Sequence, residues 1–548
     1  MSEIPGPRAK DGRAPDVFRP GAWIPMQCFA DDDPVDFAIV GTGAGGGTLA
    51  CRLAQRGFRV AAFEAGPFWR PLEDFASDEE EQEKLYWSEP RISGGADPIE
   101  FGSNNSGWAV GGSTVHFAMV SLRWRPDWFK RRTLTGWGHD WPVDYDEMAP
   151  YYRQVEEVLA ISGPVHYPWG PPRAPYPRRP HPLNASALVL ARGAEAMGIA
   201  WAPTPLATLS SPRGMAHPCV YRGMCIIGCS TNAKQSVLVT WIPQAIAAGA
   251  EIRDRAMVGR ITLGRDGRVD GLDYYREGGW RHQRALNVVV AGYAVETPRL
   301  LLNSATGRHP HGLANGNGLV GRGLMVHSND AVWGLFDEEI RSYKAPPSLA
   351  ITEHWNYTDS GKDFPGGYCF MSQGPLIRNW AKRVATSRGH WGMDYRQEMG
   401  RYNWQTGFQA VGEVESRDGN RVELAEEKDG LGLPVAKVTF AYSELDKRLK
   451  HHCKAFMGEM LRAAGGRDLW TMEDTAHLMG GARMGTDPAA SVVDPDGRSW
   501  EIPNLWVGDG SLFPSSGGVN PSLTIQAMAC RIADRIAALA GRGELRGS

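Results

Sequence analysis

The sequence lacks the features that mark several large classes of protein. Cysteine is scarce, with eight residues among 548, which excludes a disulfide framework. Basic residues do not exceed acidic ones, since 59 Lys and Arg stand against 62 Asp and Glu, so no nucleic-acid partner is expected. The chain also has no run of about 18 apolar residues, which excludes a membrane span of its own.

The first segment, residues 1–34, is rich in Pro, Gly and Asp and has no periodic pattern. It has neither an apolar h-region nor a twin arginine, so we expect the chain to carry no export signal of its own. We interpret residues 1–34 as an N-terminal arm that precedes the first domain.

Glycine is abundant, and one cluster of it follows a short apolar run. The stretch "DFAIV" predicts a buried strand, "TLACRLAQRG" a helix that stops at Gly57, and "RVAAFEAGP" a second strand. Between the first strand and the helix, Gly41, Gly43 and Gly46 fit G-x-G-x-x-G, and Glu64 ends the second strand. This β–turn–α–β unit predicts a dinucleotide site, with a pyrophosphate at the helix N-terminus.

Glu64, the acidic residue of this unit, helps to predict which dinucleotide would bind. The Glu64 carboxylate can accept hydrogen bonds from ribose hydroxyls, and it would repel a 2′-phosphate, so NADP is disfavoured. A glycine-rich turn with a purely structural role is the alternative interpretation. The order of strand, turn, helix and acid favours the dinucleotide.

The remaining chain predicts two kinds of structure. "RALNVVVAGYAVETPRLLLNSA" predicts a strand and a helix, and "WPVDYDEMAPYYRQVEEVLAISG" predicts a capped helix that ends at Gly163. Residues 330–470 are rich in aromatic residues and contain alternating segments such as "PVAKVTFAY", which predict an antiparallel sheet. The final residues return to strand, loop and helix, so both ends are expected to form one α/β domain around an inserted region.

Several further stretches resemble the glucose–methanol–choline (GMC) flavoprotein oxidoreductases. They are "VGGSTVHFAMVSLRW", "AKQSVLVTWIPQAIAAGAEI", "VVVAGYAVETPRLLLNSA", "NGLVGRGLMVHSN", "HLMGGARMGTDPAASVVDPDGR" and "IPNLWVGDGSLFPSSGGVNPSLTIQAMACRIADRI". The resemblance implies FAD rather than NAD, held by a discontinuous Rossmann-like domain of residues 35–150, 210–330 and 471–548. It also implies an α+β substrate-binding domain with an antiparallel sheet, made of residues 151–209 and 331–470.

The resemblance implies which residues bind the adenosine half of FAD. Gly41, Gly43 and Gly46 would lie at the pyrophosphate, and Glu64 would bind the adenosine ribose. Val258 would contact the adenine through its backbone.

A second group of residues is implied at the flavin half. The flavin and phosphate region would be lined by Gly111, Gly112 and Ser113. Asp509 and Gly510 would lie near the ribityl chain. His116 occupies the position at which some relatives attach FAD covalently to histidine, and the sequence leaves both a linked and an unlinked His116 open.

The catalytic pair implied by the family is His477 and Asn520, 43 positions apart in the sequence. Alcohol oxidation removes a proton from the hydroxyl group and a hydride from its carbon. A neutral imidazole at His477 can accept the proton, and the amide of Asn520 can donate to the substrate oxygen. The hydride would pass to flavin N5.

Three of the eight cysteines, Cys219, Cys225 and Cys229, lie within eleven residues. Their spacing is not that of a structural zinc site, which favours close pairs and four ligands. Three thiols suit an iron–sulfur cluster, and the stretch resembles the [3Fe–4S] loop in large subunits of bacterial FAD glucose and fructose dehydrogenases. The chain lacks their adjacent Cys–Cys pair and reads "CSTNA" where they continue differently. A loop without metal and a Cys219–Cys225 disulfide therefore stay open.

Three functions follow from these expectations. The first is an FAD dehydrogenase for a sugar, polyol or other alcohol, with electrons leaving through the cluster to a cytochrome c or a quinone. The second is an FAD oxidase that uses oxygen and has no cluster, and the third is a hydroxynitrile-lyase-like protein without redox chemistry. A small partner subunit could supply an export signal, so both a cytoplasmic and a periplasmic location stay open.

Overall fold

The computed structural model describes residues 6–101, 106–358 and 361–545 and contains both predicted kinds of structure. The sequence predictions for residues 1–5, 102–105, 359–360 and 546–548 lie outside the described residues. The strands are β1 Arg13–Pro15, β2 Trp23–Pro25, β3 Val35–Val40, β4 Val60–Phe63, β5 Ile92–Gly94, β6 Ala202–Pro203, β7 Glu251–Arg253, β8 Met257–Leu263, β9 Val269–Arg276, β10 Gly279–Val290, β11 Met325–Ser328, β12 Ala331–Leu335, β13 Ala350–Thr352, β14 Tyr368–Gln373, β15 Gln405–Gly412, β16 Arg421–Lys428, β17 Pro434–Thr439, β18 Arg467–Met472, β19 Thr475–Met479 and β20 Leu505–Val507.

The helices connect and cover these strands. They are α1 Gly46–Ala54, α2 Pro71–Asp74, α3 Pro126–Phe129, α4 Arg131–Thr135, α5 Tyr145–Val158, α6 Ala185–Ala196, α7 Trp241–Ala247, α8 Tyr293–Asn303, α9 Ile377–Thr386, α10 Gly392–Gly400, α11 Glu444–Ala463 and α12 Ser522–Gly541. Short 3-10 helices cover Glu79–Leu85, Gly112–Val115, Cys225–Ile227, Val237–Val239, Tyr402–Trp404 and Gly510–Leu512. Within the described ranges, no helix is both long enough and apolar enough to cross a bilayer.

A seven-stranded sheet carries the predicted dinucleotide unit. Its order is β7-β4-β3-β10-β9-β8, and β20 pairs with β10. The strands β7, β4, β3, β10 and β20 pair in parallel, as a Rossmann-like sheet requires, whereas β9 and β8 pair antiparallel. Helix α1 packs beside α7 and α12, so the two ends of the chain meet on this sheet, which confirms the predicted α/β organisation.

An eight-stranded sheet contains the predicted antiparallel region. Its path is β18-β12-β15-β14-β13-β6, with β11 joining β15 and β19, and all of its pairings are antiparallel. Strands β11 and β19 come from segments that the sequence prediction gives to the FAD-binding domain. In this sheet β19, which contains His477, therefore lies next to β11, which contains His327.

Two sequence predictions differ from the structure in detail. The N-terminal arm contains a small antiparallel hairpin of β1 and β2, and Ala14 within it is fully buried. Strands of three residues are too short to leave a periodic pattern, which is why the sequence shows none. Helix α5 is capped, as predicted, and the cap is the side chain of Asp144. The helix ends at Val158 rather than Gly163, because Ala160 takes a left-handed conformation with φ of 47°.

Candidate active site

The glycine turn after β3 brings backbone segments into close contact. Gly41 has φ of 89°, and a Cβ added there would lie 2.4 Å from the Ala291 carbonyl oxygen. A Cβ on Gly46 would lie 1.9 Å from the Gly41 carbonyl oxygen, and one on Gly112 would lie 2.6 Å from the Cα of Gly43. Only glycine fits at these positions without moving backbone, so the turn and the segment at Gly112 form one close-packed wall.

Glu64 lies at the end of β4 and organises this wall. Its Oε2 accepts hydrogen bonds from the backbone N–H of Thr42, at 3.0 Å, and from the Thr42 hydroxyl, at 2.8 Å. Its Oε1 accepts from the backbone N–H of Gly66 at 3.0 Å. Burial raises the pKa of Glu64, while these three donors lower it. The Gly111 N–H donates to the same Thr42 hydroxyl, which links the two glycine segments.

A cavity of about 370 Å³ runs from this wall to His477 and Asn520. Most of the residues predicted to bind FAD line it, namely Gly41, Gly43, Glu64, Gly112, Ser113, His116, Val258, Asp509 and Gly510. Among the described residues of the prediction, Gly46, Gly111 and the three clustered cysteines are not in its lining; the two glycines support the wall from behind.

The Asp509 carboxylate accepts hydrogen bonds from neighbouring protein groups at the border of the cavity. Its Oδ2 accepts from the Tyr293 N–H and the Thr297 hydroxyl, both at 2.7 Å, and its Oδ1 accepts from the Ser511 N–H at 2.9 Å. Burial raises the pKa of Asp509, and these hydrogen bonds oppose that rise. Asp509 therefore fixes the start of α8 and the turn at Gly510 where both border the cavity.

His116 follows the Gly112–Val115 turn and is buried. Its ring packs edge-on against Tyr86 at 4.9 Å. Its Nε2 has no hydrogen-bond partner within the part of the chain that the structure describes. Burial, together with the nearby charge of Lys234, lowers the pKa of His116 to about 3, so the imidazole is neutral at neutral pH.

His477 occupies a β-bulge. Where β11 pairs with β19, Val326 lies opposite Leu478 and His327 lies opposite Ala476, so His477 is the extra residue between them. It has φ of 60°, a conformation that non-glycine residues rarely adopt. Bulges redirect side chains, and this one turns the imidazole toward the cavity.

The side chain of His477 makes one hydrogen-bond contact on each side. Its Nε2 lies 3.1 Å from Asn520 Nδ2, and its Nδ1 lies 3.1 Å from Nδ1 of His327. Burial, with a smaller contribution from His327, lowers the pKa of His477 to about 3. The imidazole is therefore neutral, which is the state that a proton acceptor needs.

The cysteine loop, residues 217–229, borders the same cavity through Gly223 and Ile226. The ammonium group of Lys234 joins the loop to the segment before His116, because it donates to the Cys225 carbonyl at 2.7 Å and to the Val115 carbonyl at 2.8 Å. Among the described side chains, no group of three or more His, Cys, Asp or Glu is arranged to hold a metal ion.

The three thiols of this loop lie in a partly buried environment. Burial raises the pKa of the Cys225 thiol to about 12, and both Cys219 and Cys229 add to that rise. All three cysteines are half-buried and free. None of the three thiols is therefore part of a disulfide.

Two family models, both described as GMC oxidoreductase, match residues 45–329 and residues 415–529. The chain belongs to the GMC oxidoreductase family. Members of this family act on CH–OH groups of alcohols and sugars, and the chain is an oxidoreductase of this kind. Membership also supports FAD as its cofactor.

Curated relatives cover almost the whole GMC chain. A 2-methyl-1,2-propanediol dehydrogenase of Mycolicibacterium austroafricanum is 32% identical and covers 92% of this chain and 95% of the relative. A paromamine 6'-oxidase of Streptomyces fradiae is also 32% identical, with 92% of each chain covered. The fructose dehydrogenase large subunit of Gluconobacter japonicus is 28% identical and covers 91% of this chain and 97% of the relative.

Solved structures confirm the fold. A formate oxidase of Aspergillus oryzae, studied for modification of its FAD, superposes with a TM-score of 0.66 at 16% identity. The match covers 94% of this chain and all of the oxidase. At this identity the likeness establishes the GMC fold alone.

The cavity of the GMC chain fits FAD. A Cβ on Gly43 would meet only Gly112 Cα, at 3.7 Å among the described atoms, so this face of the turn is open for a pyrophosphate. Glu64 also lines the cavity, and the remaining lone pair of its Oε1 can accept a hydrogen bond from a ribose hydroxyl. At the other end, the buried polar atoms His116 Nε2 and Asn520 Oδ1 lack partners among the described residues and point to a polar ligand.

Sequence reasoning missed two parts of this GMC site. One is His327, which lies in the stretch "NGLVGRGLMVHSN" and for which the sequence predicts no role. The other is the wall beyond His477, whose polar side chains come from β14, β15, α9 and nearby loops: Asn329, Ser348, Gln373, Asn379, Arg383 and Gln409. These residues come from separate segments that only the tertiary structure brings together, so the sequence shows no common motif for them.

Proposed function

We propose that this GMC enzyme is an FAD-dependent dehydrogenase that oxidises the CH–OH group of a sugar, a polyol or another alcohol. The observation that carries the proposal is the pair of His477 and Asn520, which face one cavity with 3.1 Å between Nε2 and Nδ2. A neutral base beside an amide donor can accept the hydroxyl proton and orient the hydroxyl oxygen during alcohol oxidation.

The two side chains divide the work on the hydroxyl group. Asn520 would donate an N–H to the substrate oxygen and so hold the alcohol in one orientation. His477 Nε2 would accept the hydroxyl proton as the C–H bond breaks, a contribution typically of about 10²–10⁴-fold in rate. Bound FAD would supply the hydride acceptor, at flavin N5. Gly41, Gly43 and Glu64 would hold its adenosine half.

The far wall supports a polar substrate. Gln409 is 8% exposed, and its Nε2 donates to the Asn329 carbonyl at 3.2 Å, while Gln373 reaches the Ser348 hydroxyl at 3.4 Å. Amide and hydroxyl groups of this kind suit the several hydroxyls of a sugar or polyol. Two relatives are named for a diol and for fructose, which is consistent with this substrate class.

We also propose that Cys219, Cys225 and Cys229 hold a [3Fe–4S] cluster. Each thiolate of such a cluster binds a different iron atom, so the three thiols need not converge on one ion. The short spacing of the three cysteines along the chain, their unpaired thiols and the contact of their loop with the cavity support the proposal. The cluster would supply one-electron transfer from the cavity to an external cytochrome or quinone.

Iron analysis tests the cluster directly. We expect the purified wild-type enzyme to contain iron and acid-labile sulfide, and we expect Cys225→Ser to lose both, because a hydroxyl is a poor ligand for iron in such clusters. Cys28→Ser is the matched control, since Cys28 lies in the N-terminal arm beside Gly12 and should leave the iron content unchanged. If wild-type enzyme purified without oxygen contains neither iron nor sulfide, the proposed cluster is wrong.

The electron acceptor distinguishes a dehydrogenase from an oxidase. With a cluster, we expect an artificial one-electron acceptor to support turnover much faster than oxygen does. Fast turnover with oxygen and release of hydrogen peroxide would favour the oxidase, as one relative named an oxidase illustrates. The measurement is the steady-state rate with each acceptor for a panel of sugars, polyols and aryl alcohols.

A further inference from the structure

His327 lies behind His477, on the opposite side from Asn520. The two imidazole rings meet edge to face, and their Nδ1 atoms are 3.1 Å apart. His327 is fully buried, and burial lowers its pKa to about 4, so this imidazole is neutral as well. Because it is not part of the cavity lining, it can act on the substrate only through His477.

A series of hydrogen bonds runs from the Gly517 carbonyl through His327 and His477 to Asn520. The partners of His327 fix which atom is the donor in each of them. Its Nε2 lies 2.8 Å from the Gly517 carbonyl and 3.2 Å from the Ser516 carbonyl. A carbonyl can only accept, so Nε2 of His327 carries the hydrogen. In a neutral imidazole the other nitrogen, Nδ1, is then an acceptor, and His477 Nδ1–H must be the donor to it.

These hydrogen bonds determine which nitrogen of His477 is unprotonated and could accept the substrate proton. If His477 carries its hydrogen on Nδ1, its Nε2 holds the free lone pair, and Nε2 is the atom that faces Asn520 at 3.1 Å. Without substrate, the amide of Asn520 donates its N–H to that lone pair; a bound hydroxyl would take its place at Nε2, and the N–H of Asn520 would then donate to the substrate oxygen. Each hydrogen bond between the Gly517 carbonyl and the Asn520 amide thus joins one donor to one acceptor.

The carbonyls that fix the series are themselves held in place. The Ser516 hydroxyl donates to the Val414 carbonyl at 3.0 Å and accepts from the Val414 N–H at 3.1 Å. Gly517 has φ of 62° and lies against Trp124, because a Cβ there would come within 2.9 Å of the indole ring. The Gly518 carbonyl accepts from the Asn356 amide at 3.0 Å. These contacts prevent the loop from turning its carbonyls away from His327.

We infer that His327 is a positioning residue, which holds His477 in the tautomer that presents an unprotonated Nε2 to the substrate hydroxyl. The inference rests on the proposed function of His477 as the proton acceptor. When His477 takes the hydroxyl proton at Nε2, it becomes an imidazolium, and its Nδ1–H keeps His327 as acceptor. His327 therefore also stabilises the charged form that arises during turnover.

Two substitutions at His327 test the inference. His327→Leu removes the acceptor, and we expect kcat to fall by about 10²–10⁴-fold with KM little changed, the range seen when a catalytic histidine loses its base function or its tautomer. His327→Asn keeps an oxygen where Nδ1 lies, and we expect it to recover most of kcat. Equal rates for the two variants, or wild-type kcat in His327→Leu, would overturn the inference.

A further readout separates positioning from a structural role. An alcohol whose hydroxyl is made more acidic by neighbouring fluorine depends less on a base, so the loss in His327→Leu should shrink with this substrate. A loss of the same size for both substrates would contradict positioning. If His327→Leu fails to fold, ¹⁵N shifts of histidine-labelled wild-type enzyme decide the matter. A protonated Nδ1 and an unprotonated Nε2 at His477 support the inference, and the reverse overturns it.

The variant His477→Ala distinguishes the two proposals. If it retains turnover, the proposed function of His477 fails. If it is inactive while His327→Leu is as active as wild type, only the role of His327 fails.

Discussion

Replacement of His477 by alanine is expected to lower kcat by about 10²–10⁴-fold while FAD stays bound. The imidazole is the neutral base nearest to Asn520, and alanine removes it without adding bulk to the cavity. The flavin should stay, because the substitution leaves unchanged Gly41, Gly43 and Glu64, which we propose to hold the adenosine half of FAD. The measurement is steady-state kcat with the best alcohol, together with the visible flavin spectrum of the purified variant.

Two controls make this result specific. His477→Asn tolerates the left-handed backbone at this bulge better than alanine and has no useful basicity, so it should be as inactive as His477→Ala. His282→Ala removes a histidine at the protein surface, whose Nδ1 lies 2.8 Å from Asp273 Oδ1, and it should keep wild-type kcat. Wild-type kcat in His477→Asn would contradict the assignment of the base.

Gly46→Ala is expected to weaken FAD binding by about 5–150-fold, which corresponds to the ~1–3 kcal/mol that an overpacked site costs. The new Cβ would lie 1.9 Å from the Gly41 carbonyl oxygen, so α1 and the turn must separate. Their separation moves the helix N-terminus away from the pyrophosphate. The measurement is the dissociation constant for FAD, obtained by titrating the apoenzyme.

The matched control for this glycine lies inside another helix. Gly458 is in α11, and the nearest atom to an added Cβ is 3.7 Å away, so Gly458→Ala should bind FAD as wild type does. Unchanged affinity in Gly46→Ala would mean that the glycine turn does not hold the cofactor.

The local unit around the glycine turn could be predicted from the sequence because its parts are adjacent along the chain. Gly41, Gly43, Gly46 and Glu64 lie within 24 residues, and strand, turn, helix and acid each leave a pattern. The proposed catalytic pair could be inferred only through the family resemblance, because a single histidine and a single asparagine 43 positions apart have no local pattern.

His327 could not be predicted in this way. Its contact with His477 depends on the pairing of β11 with β19 and on a bulge of one residue in that pairing. A shift of one position would turn the His477 side chain to the other face of the sheet. Register of this kind is set by packing over the whole sheet, so the sequence near either histidine does not contain it.

The central claim is that an alcohol delivers two electrons to a flavin beside His477. Its most direct test is a single-turnover experiment without oxygen, in which FAD-loaded enzyme is mixed with an alcohol that it turns over. The account predicts that the visible flavin absorbance disappears and that one equivalent of carbonyl product forms per flavin. A flavin that stays oxidised while the alcohol is consumed, or a protein that binds no FAD, would contradict it.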